Sequence, residues 1–239
     1  NGIEGLLCGD IIELHSYFPA PECENLSLLS LTPGAALGSC RKKIDGAETA
    51  AKLYEIFKKY NISSFFYIGG NDSMDAVAQL SEYASIHPEL PKVNFIGVPK
   101  TIDNDLVLTD HTPGFGSAAK YIAAVMQEIM RDCSAYKTKA VTIVEIMGRD
   151  AGWLTASAVL SKKISGMGPA LIYLPEVPFS EQQFLNDLKS EFDKNTSPYV
   201  VAAVSEGIRG ADGRYVAETA MSGAVDSFGH KYLAGAGKY

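Results

Sequence analysis

The chain has 239 residues, of which 46% are hydrophobic and 21% are charged, and its formal net charge is −7. These values are typical of a globular protein with one or two domains. They exclude nucleic acid as the main partner, because binding a phosphate backbone needs clustered lysines and arginines. No apolar run approaches the roughly 18 residues of a membrane span, and the four cysteines have no C-x-x-C spacing. The composition indicates a cytoplasmic protein whose ligand can be a small anion.

Apolar runs alternate with helix-like stretches along the chain, a pattern that indicates α/β architecture. In the first half we predict a short strand and a long loop over residues 1–33, a helix over 46–60 capped by Asp45, a strand over 62–68, a helix over 73–86 and a strand over 93–98. In the second half we predict a helix over 114–129, a strand over 140–146, a helix over 152–162, a strand over 170–174, a helix capped by Ser180 and a strand over 199–204. Strands that alternate with helices imply a largely parallel sheet.

Several of the predicted strands run into polar loops that contain glycine, and these loops begin at Gly69, Pro99, Met147 and Ser205. The carboxyl ends of parallel strands meet at one edge of a sheet, where ligands bind in open α/β folds. We therefore expect the side chains of these loops to converge.

The loop with the sequence Pro-Lys-Thr-Ile-Asp-Asn-Asp at 99–105 is the strongest candidate for chemistry. One carboxylate, Asp103, could accept a proton from a substrate hydroxyl, and the other, Asp105, could hold Mg²⁺. Lys100 could neutralise phosphate oxygens. Phosphoryl transfer needs little more, because it depends on positioning and charge stabilisation. The alternative is an Asx-turn and a solvated acidic loop, which we rank second because seven positions hold more reactive side chains than a turn requires.

The loop Gly-Gly-Asn-Asp-Ser at 69–73 joins a predicted strand to a predicted helix. Its backbone N–H groups, around Gly70, could cradle a phosphate. Equally, the glycines could simply permit a tight turn while Asp72 or Ser73 caps the helix. The sequence favours neither of these two interpretations over the other.

Other polar residues at strand ends are ambiguous when each is taken alone. Arg149 could bind phosphate, but a lone arginine is more often a surface or helix-capping cation, and Glu206 could bind a sugar hydroxyl, but a glutamate at a strand end is usually solvated. Arg41 is ambiguous in the same way. None of the histidines has metal-ligand spacing with another histidine or cysteine.

Taken together and in chain order, the motifs resemble those of the phosphofructokinase family, and the resemblance covers nearly the whole chain. The motifs are Leu-Gly-Ser-Cys-Arg at 37–41, Gly-Gly-Asn-Asp-Ser at 69–73, Pro-Lys-Thr-Ile-Asp-Asn-Asp at 99–105, Gly-Phe-Gly-Ser-Ala at 114–118, Met-Gly-Arg at 147–149 and Ser-Glu-Gly at 205–207. The resemblance implies a fold of two facing α/β domains with largely parallel sheets, incomplete at both ends. It implies a phosphoryl-donor domain over 1–113 and a fructose 6-phosphate domain over 114–239.

The resemblance also implies a role for each matching residue. Asp103 would deprotonate the 1-hydroxyl of fructose 6-phosphate, with Thr101 and Arg149 assisting at the phosphoryl group and Asp105 placing Mg²⁺. The residues expected to contact the sugar are Thr101, Asp103, Met147, Gly148, Arg149 and Glu206. The residues expected to contact the donor are Gly70, Asp72, Ser73, Lys100 and Arg41.

Two positions indicate which donor is used. ATP-dependent members of the family typically have glycine where this chain has Asp72 and Lys100, whereas pyrophosphate-dependent members have Asp and Lys. The Asp72 carboxylate would repel the α-phosphate of ATP, and Lys100 adds a point charge suited to pyrophosphate. We therefore predict phosphoryl transfer from pyrophosphate to fructose 6-phosphate, with ATP as the alternative donor.

The chain departs from the family pattern at several positions. Asn71 stands where the family usually has an aspartate associated with Mg²⁺. An amide is a weaker, uncharged ligand, so either Asp105 and the pyrophosphate itself carry the metal or this copy is impaired. Ala140 stands where family members have an arginine that reaches a neighbouring subunit. The family's opening Gly-Gly-x-x-Pro-Gly turn and its later sugar-phosphate Arg and His residues have no match, so we expect an internal portion of a longer enzyme that is inactive alone.

Two further interpretations remain open. One is a non-catalytic, regulatory phosphofructokinase-like subunit, which Asn71 and the missing ends favour and which the intact 101–105 motif with Arg149 opposes. The other is a Rossmann dehydrogenase, which ranks third because no G-x-G-x-x-G opens a helix. The family also implies a homo-oligomer of the full-length chain.

Overall fold

The computed structural model describes residues 2–13, 27–32, 34–35, 38–44, 46–194 and 197–217. These residues form two compact units that divide between Pro99 and Lys100. Within these ranges, no helix is both long enough and apolar enough to cross a membrane. The predicted N-cap Asp45 lies outside the described residues, as do His15 and His230.

The first unit contains a small parallel sheet and the helices packed on it. In chain order its elements are α1 (Gly2–Cys8), a 3₁₀ turn (Leu29–Leu31), α2 (Gly46–Lys59), β1 (Ser64–Gly69), α3 (Asn71–Ile86) and β2 (Asn94–Pro99). β1 and β2 pair in parallel, and their register sets Gly69 opposite Pro99. Both strands therefore end at the same edge of the sheet, where α3 follows β1 and Lys100 follows β2.

The core of the first unit is built from the apolar faces of its helices and one face of its sheet. Ile3, Leu53, Phe57 and Leu80 are fully buried in it. The described residues of the segment 1–33 begin with the helix α1, which the sequence does not predict there. Apolar residues in a short cluster fit either periodicity, and here burial of Ile3 against the core selects the helix.

The second unit contains a three-stranded parallel sheet in the order β3-β5-β4. Its elements are α4 (Phe115–Ala135), β3 (Ala140–Ile146), α5 (Trp153–Ser157), α6 (Leu160–Ser165), β4 (Leu171–Tyr173), α7 (Glu181–Asp193) and β5 (Tyr199–Ser205). β3 and β5 run in register, so that Ile146 lies opposite Ser205. Met147 and Glu206 therefore leave the sheet side by side. The predicted α/β fold with parallel sheets is confirmed.

The single helix predicted over 152–162 is wrong, because the chain forms two short helices, α5 and α6. Two buried serines explain the interruption. Ser157 Oγ donates to the carbonyl of Leu154 at 2.6 Å, and Ser161 Oγ donates to the carbonyl of Ala158 at 2.7 Å. Such bonds compete with the regular helical ladder. Periodicity alone does not reveal that competition.

The two units divide at an earlier residue than the predicted domain boundary at 113. The chain from Thr101 to Thr112 belongs with the second unit, because Thr112 Oγ1 donates to the carbonyl of Thr101 and Ile102 packs against the second core. The assignment of the donor to one domain and of the sugar to the other stays a prediction.

Candidate functional site

Gly70, Asp72 and Ser73, three of the predicted donor residues of the first unit, lie at the start of α3. Gly70 is the N-cap in an extended conformation, and no side chain caps the helix. Asn71, Asp72 and Ser73 form the first turn, so the alternative in which Asp72 or Ser73 caps the helix is wrong. Arg41 lies exposed in the segment before α2. The strand-to-helix turn thus has the backbone arrangement that anions bind.

In the second unit, the loop that carries both candidate acids is held by its own hydrogen bonds. Asn104 is buried and adopts a left-handed conformation with φ of 60°. Its Nδ2 donates to the carbonyl of Asp110 at 3.2 Å, and its Oδ1 accepts from the Thr112 N–H at 2.8 Å. The Asp103 N–H donates to Thr101 Oγ1 at 3.0 Å. Asn104 therefore fixes the backbone between Asp103, which is half-buried, and Asp105, which is exposed.

Replacing Asn104 with Ala is expected to destabilise the protein by about 1–3 kcal/mol beyond the cost of the left-handed backbone, because the buried N–H of Thr112 and the carbonyl of Asp110 lose this partner. Asn61 is the matched control, since it is an exposed asparagine with φ of 51°. Thermal and denaturant midpoints of both alanine variants measure the difference. Equal losses of stability in the two variants would contradict the prediction that the side-chain hydrogen bonds of Asn104 stabilise the loop.

The loops after β3 and β5 are joined to each other at the sheet edge. The Glu206 N–H donates to the carbonyl of Ile146 at 2.9 Å, which extends the strand ladder by one bond. The Gly148 N–H donates to Glu206 Oε1 at 3.2 Å. Gly148 has φ of 125°, a conformation that side chains rarely adopt. The amino acids of the two loops that are predicted to contact the sugar are therefore direct neighbours.

Arg149 is held by a close backbone approach from the second loop. A Cβ at position 207 would lie 1.7 Å from the carbonyl oxygen of Arg149, so only glycine fits there. Asp150 Oδ1 accepts hydrogen bonds from Arg209 Nη2 and, at 2.9 Å, from Tyr215 Oη. The Arg209 guanidinium also lies 4.4 Å from the centre of the Tyr215 ring.

The electrostatics of the second unit centre on Asp103. Burial raises the pKa of Asp103 above its ordinary value, and the charges of Asp105, Glu206 and Asp150 raise it further, whereas Arg149 lowers it. A carboxyl group with a raised pKa is suited to accept a proton near neutral pH. The structure thus brings Asp103, Asp105, Arg149 and Glu206 into one electrostatic neighbourhood.

The remaining predicted residues of the second unit lie around this group. Lys100 is exposed at the start of the unit, Met147 is exposed at the end of β3, and Gly148 is buried. A cavity of about 810 Å³ adjoins Asp105, and His111, Phe115 and Trp153 also line it.

Sequence reasoning assigned no role to three residues that shape this site: Asn104, Asp150 and Ser205. Each adjoins or falls within a recognised motif, which is the signal that could have found them. Their bonding partners lie elsewhere in the chain, however, and motif matching does not supply partners.

The chain is similar in sequence to proteins that are already known. The sequence profile described as Phosphofructokinase matches residues 1–236. A pyrophosphate–fructose 6-phosphate 1-phosphotransferase of Xanthomonas campestris is 39% identical over 247 residues, covering 100% of this chain and 56% of the relative. One of Methylococcus capsulatus is 40% identical over 244 residues, covering 98% of this chain and 55% of the relative. The chain thus spans about half the length of the curated relatives it matches.

The solved structures agree with the sequence matches. The crystal structure of a pyrophosphate-dependent phosphofructokinase from Nitrosospira multiformis is 38% identical in sequence and superposes with a TM-score of 0.75. The superposition covers 90% of this chain and 52% of that chain.

Proposed function

The chain belongs to the phosphofructokinase family, and we propose that the complete gene product transfers a phosphoryl group from pyrophosphate to the 1-hydroxyl of fructose 6-phosphate. The observation that carries the proposal is the half-buried Asp103, whose pKa is raised, in the same neighbourhood as Arg149 and Glu206. The names of the relatives at 39% and 40% identity support the choice of substrates. The reaction gives fructose 1,6-bisphosphate and releases phosphate, and it is expected to be reversible.

In this proposal each residue of the site in the second unit has its own role in the reaction. Asp103 accepts the proton of the 1-hydroxyl as the oxygen attacks phosphorus. Arg149 stabilises the charge on the transferring phosphoryl group, and Thr101 assists there. Met147, Gly148 and Glu206 hold the sugar. Arg149 also lowers the pKa of Asp103, against the burial and the neighbouring acids that raise it.

Mg²⁺ is the cofactor we propose. Among the described residues, no group of three or more His, Cys, Asp or Glu side chains could hold a metal ion alone. That fits Mg²⁺, which proteins usually bind through one or two carboxylates while substrate phosphates and water supply the other oxygens. Asp105, in the second unit, would provide a carboxylate. The bound ion would neutralise phosphate charge.

The proposed donor site uses the start of α3 and the residue after β2. Gly70 and Ser73 offer the strand-to-helix turn, Arg41 and Lys100 offer positive charge, and Asp72 disfavours a third phosphate by repulsion. The register that sets Gly69 opposite Pro99 supports this grouping, because both donor segments continue from paired strand ends.

The complete gene product is expected to turn over with pyrophosphate and much more slowly with ATP. Replacing Asp72 with Gly should raise kcat/KM for ATP roughly tenfold or more, because a repelling carboxylate is removed. Steady-state assays with each donor measure this. The matched control is Asp75→Gly, which removes an exposed acid from the same helix. Strong ATP turnover with none from pyrophosphate would overturn the donor assignment.

We also propose that the complete product is a cytoplasmic homo-oligomer, a property that the family supports. Light scattering of the purified complete protein tests the oligomer directly, and a monomer at assay concentration would contradict it.

A further inference from the structure

We propose that Ser205 is a positioning residue that locks the Arg149 loop to the Glu206 loop. The proposal rests on the proposed function, because it assumes that these two loops hold the sugar phosphate. Ser205 itself does not touch the reacting groups. It acts through the backbone on either side of Arg149 and Glu206.

The Ser205 hydroxyl bonds to both loops at once. It is 1% exposed, its Oγ donates to the carbonyl of Gly148 at 2.6 Å, and it accepts from the Gly207 N–H at 3.0 Å. Gly148 and Gly207 are themselves buried. Without the hydroxyl, one buried carbonyl and one buried N–H lose this partner.

The bonds of Ser205 form part of a closed network. The Gly148 N–H donates to Glu206 Oε1 at 3.2 Å, so the Glu206 carboxylate depends on the position of Gly148. Gly207 packs directly on the carbonyl of Arg149. The two glycines that Ser205 holds are therefore the ones that set the Glu206 side chain and the Arg149 backbone.

A second connection between the loops lies on the exposed side. Asp150 is 60% exposed in its side chain and pairs there with Arg209. Exposed ion pairs contribute little because solvent screens them. The buried hydroxyl of Ser205 is therefore the stronger of the two connections, and Asp150→Asn should change sugar-phosphate kinetics less than Ser205→Ala.

The test compares Ser205→Ala with Ser161→Ala in the complete gene product. Ser161 is a matched control, since it is 0% exposed and its hydroxyl donates to a backbone carbonyl at 2.7 Å, but it lies in α6. Both variants should lose thermal stability, and Ser205→Ala should lose more because its hydroxyl bonds to two backbone groups. Only Ser205→Ala should raise KM for fructose 6-phosphate, by about tenfold, while KM for pyrophosphate stays unchanged.

A second readout does not depend on turnover. Amide hydrogen exchange in segments 147–150 and 206–209 should speed up by about tenfold in Ser205→Ala and should not change in Ser161→Ala. If Ser205→Ala does not fold, Ser205→Cys, which keeps the size but donates weakly, serves in its place. Ser205→Thr, which keeps the hydroxyl, should recover protection of both segments.

Each outcome decides one claim. If the two alanine variants show equal kinetic and exchange changes, or if KM rises equally for both substrates, Ser205 is only a packing residue and the proposal fails. If the wild type shows no turnover with pyrophosphate and fructose 6-phosphate, the proposed function fails. The exchange result alone then decides whether Ser205 locks the loops.

Discussion

Replacing Asp103 with Asn should lower kcat of the complete gene product by about 10²–10⁴-fold, the usual contribution of a general base. The amide keeps the size of the side chain but cannot accept the hydroxyl proton. Fructose 6-phosphate should still bind, because Arg149 and Glu206 are untouched. Steady-state kinetics and equilibrium binding of the sugar phosphate measure the two quantities separately.

The control for this experiment is Asp132→Asn, which neutralises an exposed acid on α4 of the same unit. That variant should keep wild-type kinetics. If Asp103→Asn retains more than a small fraction of wild-type turnover, Asp103 is not the base. If the wild type binds the sugar phosphate but turns nothing over, the protein is the non-catalytic subunit considered above.

Because the pKa of Asp103 is raised, Asp103→Asn should also change the thermal stability of the protein. The folded protein holds the proton of Asp103 more tightly than the unfolded chain does. The resulting stabilisation is present below the ordinary carboxyl pKa and is lost as the pH rises through the folded-state pKa. At a pH above the folded-state pKa the half-buried charge is therefore unfavourable. Asp103→Asn should consequently raise the thermal midpoint there while it abolishes activity.

Replacing Arg149 with Ala should lower kcat by about 10²–10³-fold, as loss of a group that stabilises transition-state charge typically does. Arg149→Lys should fall between Ala and the wild type, because it keeps the charge but not the planar fork of donors. An exposed arginine of α4, Arg131, provides the control substitution to Ala. Wild-type turnover in Arg149→Ala would remove Arg149 from the mechanism.

If Arg149 acts on Asp103, its replacement should also change the pH dependence of kcat/KM, which a purely structural role would not affect. It is the group that lowers the pKa of Asp103, against the acids that raise it. Arg149→Ala should therefore move the acidic limb of the kcat/KM profile to higher pH, and Arg149→Lys should leave that limb nearly in place. Profiles recorded at constant free Mg²⁺ distinguish the two variants. An unchanged limb in Arg149→Ala would show that the two groups are not coupled.

Local periodicity explains why much of the secondary structure is predictable. The strand predicted over 140–146 has the observed bounds, and the helix predicted from residue 46 begins there. The errors occur where tertiary contacts override local preference. They are the helix α1, which buries Ile3, and the interruption between α5 and α6 beside the serines that bond to the backbone.

The order of the motifs and their residue types, which are properties of the chain alone, were enough to identify the α/β class, the family and the candidate residues from Arg41 to Glu206. The tertiary structure was needed to show that Ser205 bonds to Gly148, 57 residues away, and that Tyr215 bonds to Asp150, 65 residues away. It was also needed to show why the pKa of Asp103 is raised, since that depends on burial and on acids from three separate loops. Such properties follow from strand register, which sets Ile146 opposite Ser205 and so decides which loops become neighbours.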